Sequence, residues 1–172
     1  MQQIGILSDT HGYVHPNIAQ HFAHCHQIWH AGDIGPIAVA DQLATIAPLK
    51  AVYGNIDDHI VRATYPEHLF FTCEDTRILM THIAGRPNRY PAKIKQLIAK
   101  HQPDIFICGH SHLLLIEQPQ GMHHLHLNPG AAGKHGFHQV LTLVRLCIDG
   151  KRIFNCQIIE LGQRRFLEPA DD

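Results

Sequence analysis

Five short apolar runs in this chain each end in a side chain that can bind a metal ion, and that repeated ending narrows the folds open to it. Ile4–Leu7 runs into Asp9 and His11, Gln27–His30 into Asp33, and Leu49–Tyr53 into Asn55. Arg77–Thr81 ends at His82, and the run after Pro103 ends at His110 and His112. Runs of this length, bounded by glycine, proline or polar residues, read as buried strands. Pro16 to about His24 and Ile37–Ile46 carry helical spacing between the first three, which gives the β-α-β-α-β order of a parallel sheet covered by helices. In such sheets ligands gather at the C-terminal strand edge, where loops converge without disturbing the core. An extended exit also puts His110 and His112 on one side with Ser111 facing away as a spacer.

The remaining chain fills in around that edge. Leu69–Cys73 and Arg77–Thr81 read as strands across a Glu74-Asp75 turn, after a Pro66-containing loop. Tyr90–His101 is an amphipathic helix with Ile94, Leu97 and Ile98 on one face. From Leu113 the pattern changes to Leu113–Glu117, His123–Leu127, Val140–Ile148 and Ile153–Leu161, an antiparallel meander by its turns. Trp29 and the Phe70-Phe71 pair read as core between sheet and helix, and His30 as a packing residue at its strand end. The His123-His124-x-His126 cluster reads as one exposed and one inward strand face. One domain spans residues 1–172, with about 168–172 as a frayed tail.

Charge and cysteine usage exclude several classes. A formal net charge of -1 creates no field for nucleic acid or an anionic membrane, so neither is expected as a partner. The five cysteines form no C-x-x-C and sit mostly in apolar runs, which indicates a reducing, cytoplasmic setting without disulfides. The oligomeric state is open, a homo-oligomer included. Histidine is the anomaly: 17 of them outnumber the 14 lysines and arginines.

Four imidazoles, two carboxylates and one amide oxygen make a nitrogen and oxygen donor set without thiolate, suited to Mn, Fe, Co, Ni or Zn. Seven ligands exceed one tetrahedral ion and suit two ions about 3.5–4 Å apart. The two aspartates return only part of the ions' charge, so such a centre attracts a phosphate oxyanion.

Asp9-x-His11, Gly32-Asp33, Gly54-Asn55, Thr81-His82 and Gly109-His110-Ser111-His112, in this order, resemble the calcineurin-like metallophosphoesterases, and among them the small YfcE-type phosphodiesterases. Asn128-Pro129-Gly130 is similar to that branch's turn near the site. The resemblance implies an α/β fold, a four-layer α-β-β-α sandwich with two central mixed sheets. It also implies Asp9, His11, Asp33 and His112 on one metal and Asp33, Asn55, His82 and His110 on the other, with Asp33 as bridge. The activity implied is hydrolysis of a small phosphodiester by a metal-bridging hydroxide, with two divalent transition-metal ions, Mn foremost.

Phosphatase branches follow Gly-Asn with a histidine that assists the leaving group, whereas Ile56 stands here. His59 is then the side-chain candidate for the acid, with His82 and Asn55 assisting at the phosphate. Arg86 and Arg89 are candidates to clamp the substrate phosphate, as are Lys134 and His135. Asp57 is a candidate support for the ligands. The alternatives are a phosphomonoesterase, a dinucleoside polyphosphate hydrolase, or a non-catalytic scaffold like the related retromer subunit.

Overall fold

The computed structural model describes residues 1–164, so the expected frayed tail lies outside the described residues. The first sheet contains β1 (Gln2–Leu7), β2 (Gln27–His30), β3 (Leu49–Ala51), β9 (Val140–Asp149) and β10 (Arg152–Gln163), in the order β10-β9-β1-β2-β3. The second contains β4 (His68–Cys73), β5 (Thr76–Thr81), β6 (Ile105–Ile107), β7 (Leu114–Glu117) and β8 (Leu125–Pro129), in the order β4-β5-β6-β8-β7. Helices α1 (Ile18–Phe22), α2 (Ile37–Ala44) and α3 (His59–Thr64) cover the first sheet, and α4 (Ala92–His101) covers the second.

Strand alternation builds three apolar layers. Ile4 and Ile6 of β1 face Ile78, Met80, Ile105 and Ile107 across the middle of the molecule, with Trp29 and Leu127. Leu7 points the other way, into the layer with Ile18, Phe22, Val39, Leu43 and Val61. Leu79 and Phe106 point outward from the second sheet onto Tyr90 and Ile94. This is the four-layer α-β-β-α sandwich that the resemblance implies.

Three details differ from the sequence reading. The last four strands are not one meander: β7 and β8 stay in the second sheet, where β8 runs parallel to β6, while β9 and β10 cross to the first, with β9 antiparallel to β1. Alternation identifies a strand but does not say which of two sheets it joins. The segment read as a loop before Pro66 contains α3, started by Asp58, whose carboxylate accepts from the backbone N–H groups of Ile60 and Val61. Trp29 lies between the two sheets, in edge contact with Phe71, whereas Phe70 is exposed and stacks on His101.

Candidate metal centre

The loops after β1, β2, β3, β5 and β6 converge, and their donor atoms fall into two adjoining clusters. Asp9, His11 and His112 bring ligand atoms within 4.8 Å of one another, and so do Asp33, His82 and His110. Asp33 Oδ2 stands between them, 3.2 Å from His82 Nε2 and 3.6 Å from His11 Nε2. Asn55 Oδ1 adds an amide oxygen 3.1 Å from His82 Nε2. Asp9 Oδ1 is 3.1 Å from His112 Nε2 and 3.9 Å from His11 Nε2. All seven sequence candidates are therefore brought together.

The backbone that does this is unusual. Asp9, His11, Asp33, His110 and His112 all adopt positive φ, between 47° and 68°, in the left-handed region. Such conformations cost on the order of 1–3 kcal/mol each and persist where the surroundings over-determine them, with Asp, Asn and His the most tolerant side-chain types. His110 and His112 are thus not on an extended strand exit. The left-handed turn at each sends them to different clusters, His110 beside His82 and His112 beside Asp9 and His11. Glycine makes room for this: a Cβ on Gly54 would collide with Asp33, and one on Gly109 with Ser8 and Asp9.

Hydrogen bonds hold each ligand in place. Asp9 N–H donates to Gly32 O and His11 N–H to Asp33 O, both at 3.0 Å, so the first two loops are fixed to each other. Asp9 Oδ2 accepts from His110 N–H at 3.1 Å, and Asp33 Oδ1 accepts from Ile56 N–H at 3.1 Å. His82 Nδ1 lies 2.8 Å from Ala31 O; donation there leaves Nε2 with its lone pair toward the cluster. Asp57 accepts from Gly35 N–H at 2.8 Å and Gly54 N–H at 2.7 Å, the supporting role expected of it. His30, fully buried, meets Thr10 Oγ1 and accepts from Gly32 N–H, consistent with a packing residue at its strand end.

Burial and charge compete at these groups. Burial depresses His82, but the Asp33 and Asp9 carboxylates and the Ala31 carbonyl outweigh it and raise its pKa. At Asp33 burial pushes upward, and the bonds from His82 and Ile56 N–H override it, so the carboxyl is held below its usual range. His11 goes the other way: burial prevails over Asp33 and Asp9 and lowers it. Burial raises Cys108, just behind the centre, to about 12, so it offers no thiolate.

Whether this donor set fits cations is decided by two atoms. Asp9 Oδ1 and His11 Nε2 are buried without a hydrogen-bond partner among the described residues, facing each other at 3.9 Å. A buried carboxylate oxygen and a buried imidazole nitrogen without a hydrogen bond, whose polar neighbours are only other groups of the site such as His112 Nε2 and Asp33 Oδ2, carry a desolvation cost that a cation between them removes. The set fits divalent ions.

One support, Arg62, escaped the sequence reading, and for another, Asn128, that reading had the place near the site but not the contacts. Asn128, inside the Asn-Pro-Gly turn, donates to Gly109 O at 2.9 Å and Ser111 Oγ at 3.0 Å, so Ser111 is a clamp point rather than a spacer. Arg62 of α3 donates to the carbonyls of Gly54, Asn55 and Asp57 and packs over the Tyr53 ring, which fixes the Asn55 loop. Its signal was the Asp58 cap, which starts a helix whose first turns return to that loop.

The outlying candidates are spread around the centre. His59 is exposed on the first turn of α3. Arg86 is exposed and lines a cleft of about 460 Å³ that also contains His110, while Arg89, exposed three residues on, donates its N–H to Arg86 O. His135 stacks 4.7 Å from His11, and Lys134 sits over the Tyr13 ring. His123 is exposed, whereas His124 and His126 are buried on the α4 side of the second sheet, against the Tyr90 ring.

Comparison with known proteins bears on the family and the fold. The family model of the calcineurin-like phosphoesterase superfamily domain matches residues 2–151. A probable metallophosphoesterase of Methanothermobacter thermautotrophicus is 29% identical over 164 residues, covering 92% of each chain. Vps29 of Chaetomium thermophilum superposes with a TM-score of 0.73 at 17% identity, covering 93% of this chain and 97% of that one. A solved archaeal phosphodiesterase gives 0.70 at 22% identity over 92% of this chain and 99% of its own.

Proposed function

The chain belongs to the calcineurin-like phosphoesterase superfamily, and on that footing we propose that it hydrolyses small phosphodiesters at a centre of two divalent ions. Metal-dependent phosphoester hydrolysis follows from the family; the diester preference and the paired ions are our reading. One observation carries it: Asp9 Oδ1 and His11 Nε2 are buried without a hydrogen bond beside two adjoining donor clusters. Asp9, His11, Asp33 and His112 would hold one ion, and Asp33, Asn55, His82 and His110 would hold the other. Asp33 would serve both, supported by the position of its Oδ2 between His11 and His82. Ions bound there supply Lewis acidity and an ionised water as nucleophile, with Mn the first choice and Fe, Ni, Co or Zn as alternatives.

The protein's own side chains do the rest. Two aspartates leave the loaded centre net positive, so it attracts the phosphate. His82, anchored through Nδ1, would act there as a ligand through Nε2, and Asn55, anchored by Arg62 on its carbonyl, would offer its amide N–H groups to the charge that develops on the phosphoryl oxygens. Water adds across the P–O bond: its oxygen joins phosphorus, and the leaving oxygen departs with a proton. We assign that proton to solvent, with exposed His59 as the side-chain source, and assign the outer phosphate contacts to Arg86 and Arg89. The five cysteines are all free, in keeping with the reducing cytoplasm as its setting. Among the described residues no helix is long and apolar enough to cross a membrane.

The test is turnover of an aryl phosphodiester with added Mn, for the native chain and for Asp33→Ala and His112→Ala. Loss of activity in both variants supports the centre, and native activity in either removes it. Faster turnover of the matching monoester would move the reading to a phosphomonoesterase. A protein that binds no metal at neutral pH would instead fit the scaffold alternative.

A further inference from the structure

Half of the large hydrophobic side chains exposed among the described residues stand around the most polar site. Among the described residues, Phe137 is 103% exposed, Leu113 63%, Ile83 47% and Ile56 46%. Three of these directly follow a candidate ligand: Ile56 after Asn55, Ile83 after His82 and Leu113 after His112. Scattered apolar residues on a surface need no explanation, but a set grouped at the mouth of one site does.

The clefts beside the centre show what the group encloses. Ile56, Leu113 and Phe137 line a cleft of about 360 Å³ whose floor includes His11, Asp33 and His112. Ile83 and Leu113 line the cleft of about 460 Å³ that contains Arg86. The two clefts meet at His110, Ser111 and Leu113, so they leave the centre in two directions from a shared wall. Each has room for a ring or a short branched chain, and each presents carbon at its outer wall.

The collar is also held in place. Leu113 N–H donates to Ser111 Oγ at 3.3 Å, and Ser111 is clamped by Asn128. Gly136, at φ 120°, lies against the His112 ring, where a Cβ would collide with it. The His138 ring packs 5.1 Å from His112, and its Nε2 meets Gly133 O at 2.9 Å. Phe137 therefore stands between two residues fixed against a ligand, and its ring is directed to solvent at the cleft mouth.

A phosphodiester has two ester arms, and two apolar-walled clefts leave this centre. We propose that the substrate class is a phosphodiester with apolar organic arms, seated against Phe137 and Leu113 on one side and Ile83 and Leu113 on the other. This rests on the diesterase reading above. Burying an aromatic arm against such a collar lowers its free energy in proportion to the carbon surface removed from water, whereas a polyhydroxylated arm would lose water contacts without replacement.

The test uses two diesters with the same leaving group on the Mn-loaded full chain: phenyl 4-nitrophenyl phosphate and 2-methoxyethyl 4-nitrophenyl phosphate, neither of which has an internal nucleophile. The retained arms also differ in intrinsic reactivity, so the arm contact is read from the ratio of their kcat/KM values after division by the same ratio for the uncatalysed reaction, and from its change on substitution. We expect a preference for the aryl arm of about 10-fold, the effect of partly burying a ring. Phe137→Ser with Leu113→Ser should shrink that ratio about 10-fold, while Phe137→Leu alone should keep most of it. Because each ratio is taken within one protein, a general loss of activity does not mimic the result. A double variant that keeps the native ratio overturns the apolar-arm inference and leaves the diesterase reading standing. A native protein that hydrolyses neither diester overturns the diesterase reading itself, and this inference with it.

Discussion

His124 and His126 are as buried as His82 at the strand edge, at 2% and 1% exposure against 3%, yet their nitrogens meet different chemistry. Tyr90 Oη lies 3.2 Å from His124 Nε2 and 2.8 Å from His126 Nδ1, and Cys108 Sγ is 3.5 Å from His126 Nε2. Both ring nitrogens of His126 are therefore satisfied by neutral groups, on a regular strand. At the strand edge the imidazoles face two carboxylates, three of the four sit on left-handed backbone, and His11 Nε2 and Asp9 Oδ1 are left without a hydrogen bond. The contrast teaches that histidine content does not mark a metal site in this protein. A carboxylate at the meeting point of unpaired nitrogens does.

The strongest way to break that comparison is to remove the shared carboxylate. Asp33→Ala should cost on the order of 10³-fold in kcat/KM, the equivalent of several kcal/mol, and lower bound metal measured by elemental analysis. Retention of both would mean that the edge cluster is no more a metal site than the Tyr90 cluster. Asn128→Ala leaves every candidate ligand in place but frees the His110–His112 loop from its clamp. A fall in metal affinity of about 10- to 100-fold is expected, read by titration with a competing chelator.

Tyr90→Phe addresses the other cluster. It leaves His126 Nδ1 without its partner and should lower unfolding stability by about 1–2 kcal/mol in urea titration, with metal content and turnover kept at native levels. Loss of metal on that substitution would show that the two clusters are not separate. The smallest effect is on pH dependence. Burial, with a contribution from His124, lowers His126 from 6.5 to about 4. Between those values the unfolded chain takes up a proton that the folded chain refuses, so stability falls as pH drops through this window. His126→Gln should flatten the decline by up to about 1 kcal/mol per pH unit, measured as unfolding free energy against pH.

How much of this was readable beforehand varies by level. Strand identity and ligand placement were legible, because a buried strand imposes an apolar run and its exit imposes a polar stop, as at Leu7 to Asp9 or Cys108 to His110. Sheet membership was not, since β8 and β9 carry similar alternation but join different sheets. The division of His110 from His112 was available only through the family resemblance, because it depends on positive φ at both, and side-chain identity only permits that conformation without requiring it. Arg62 and Asn128 act through backbone carbonyls, and a carbonyl leaves no trace in a list of side chains.

Each donor cluster draws on both sheets. Asp9 and His11 follow a strand of the first sheet and His112 one of the second; Asp33 comes from the first and His82 and His110 from the second. Hydrogen bonds already join the sheets here, from His110 N–H to Asp9 Oδ2 and from the His82 ring to Ala31 O. An ion held in either cluster would act as a rivet through two plates, adding bonds that must break before one sheet can slide over the other. Metal supply would then set how long the folded chain survives as well as how fast it works.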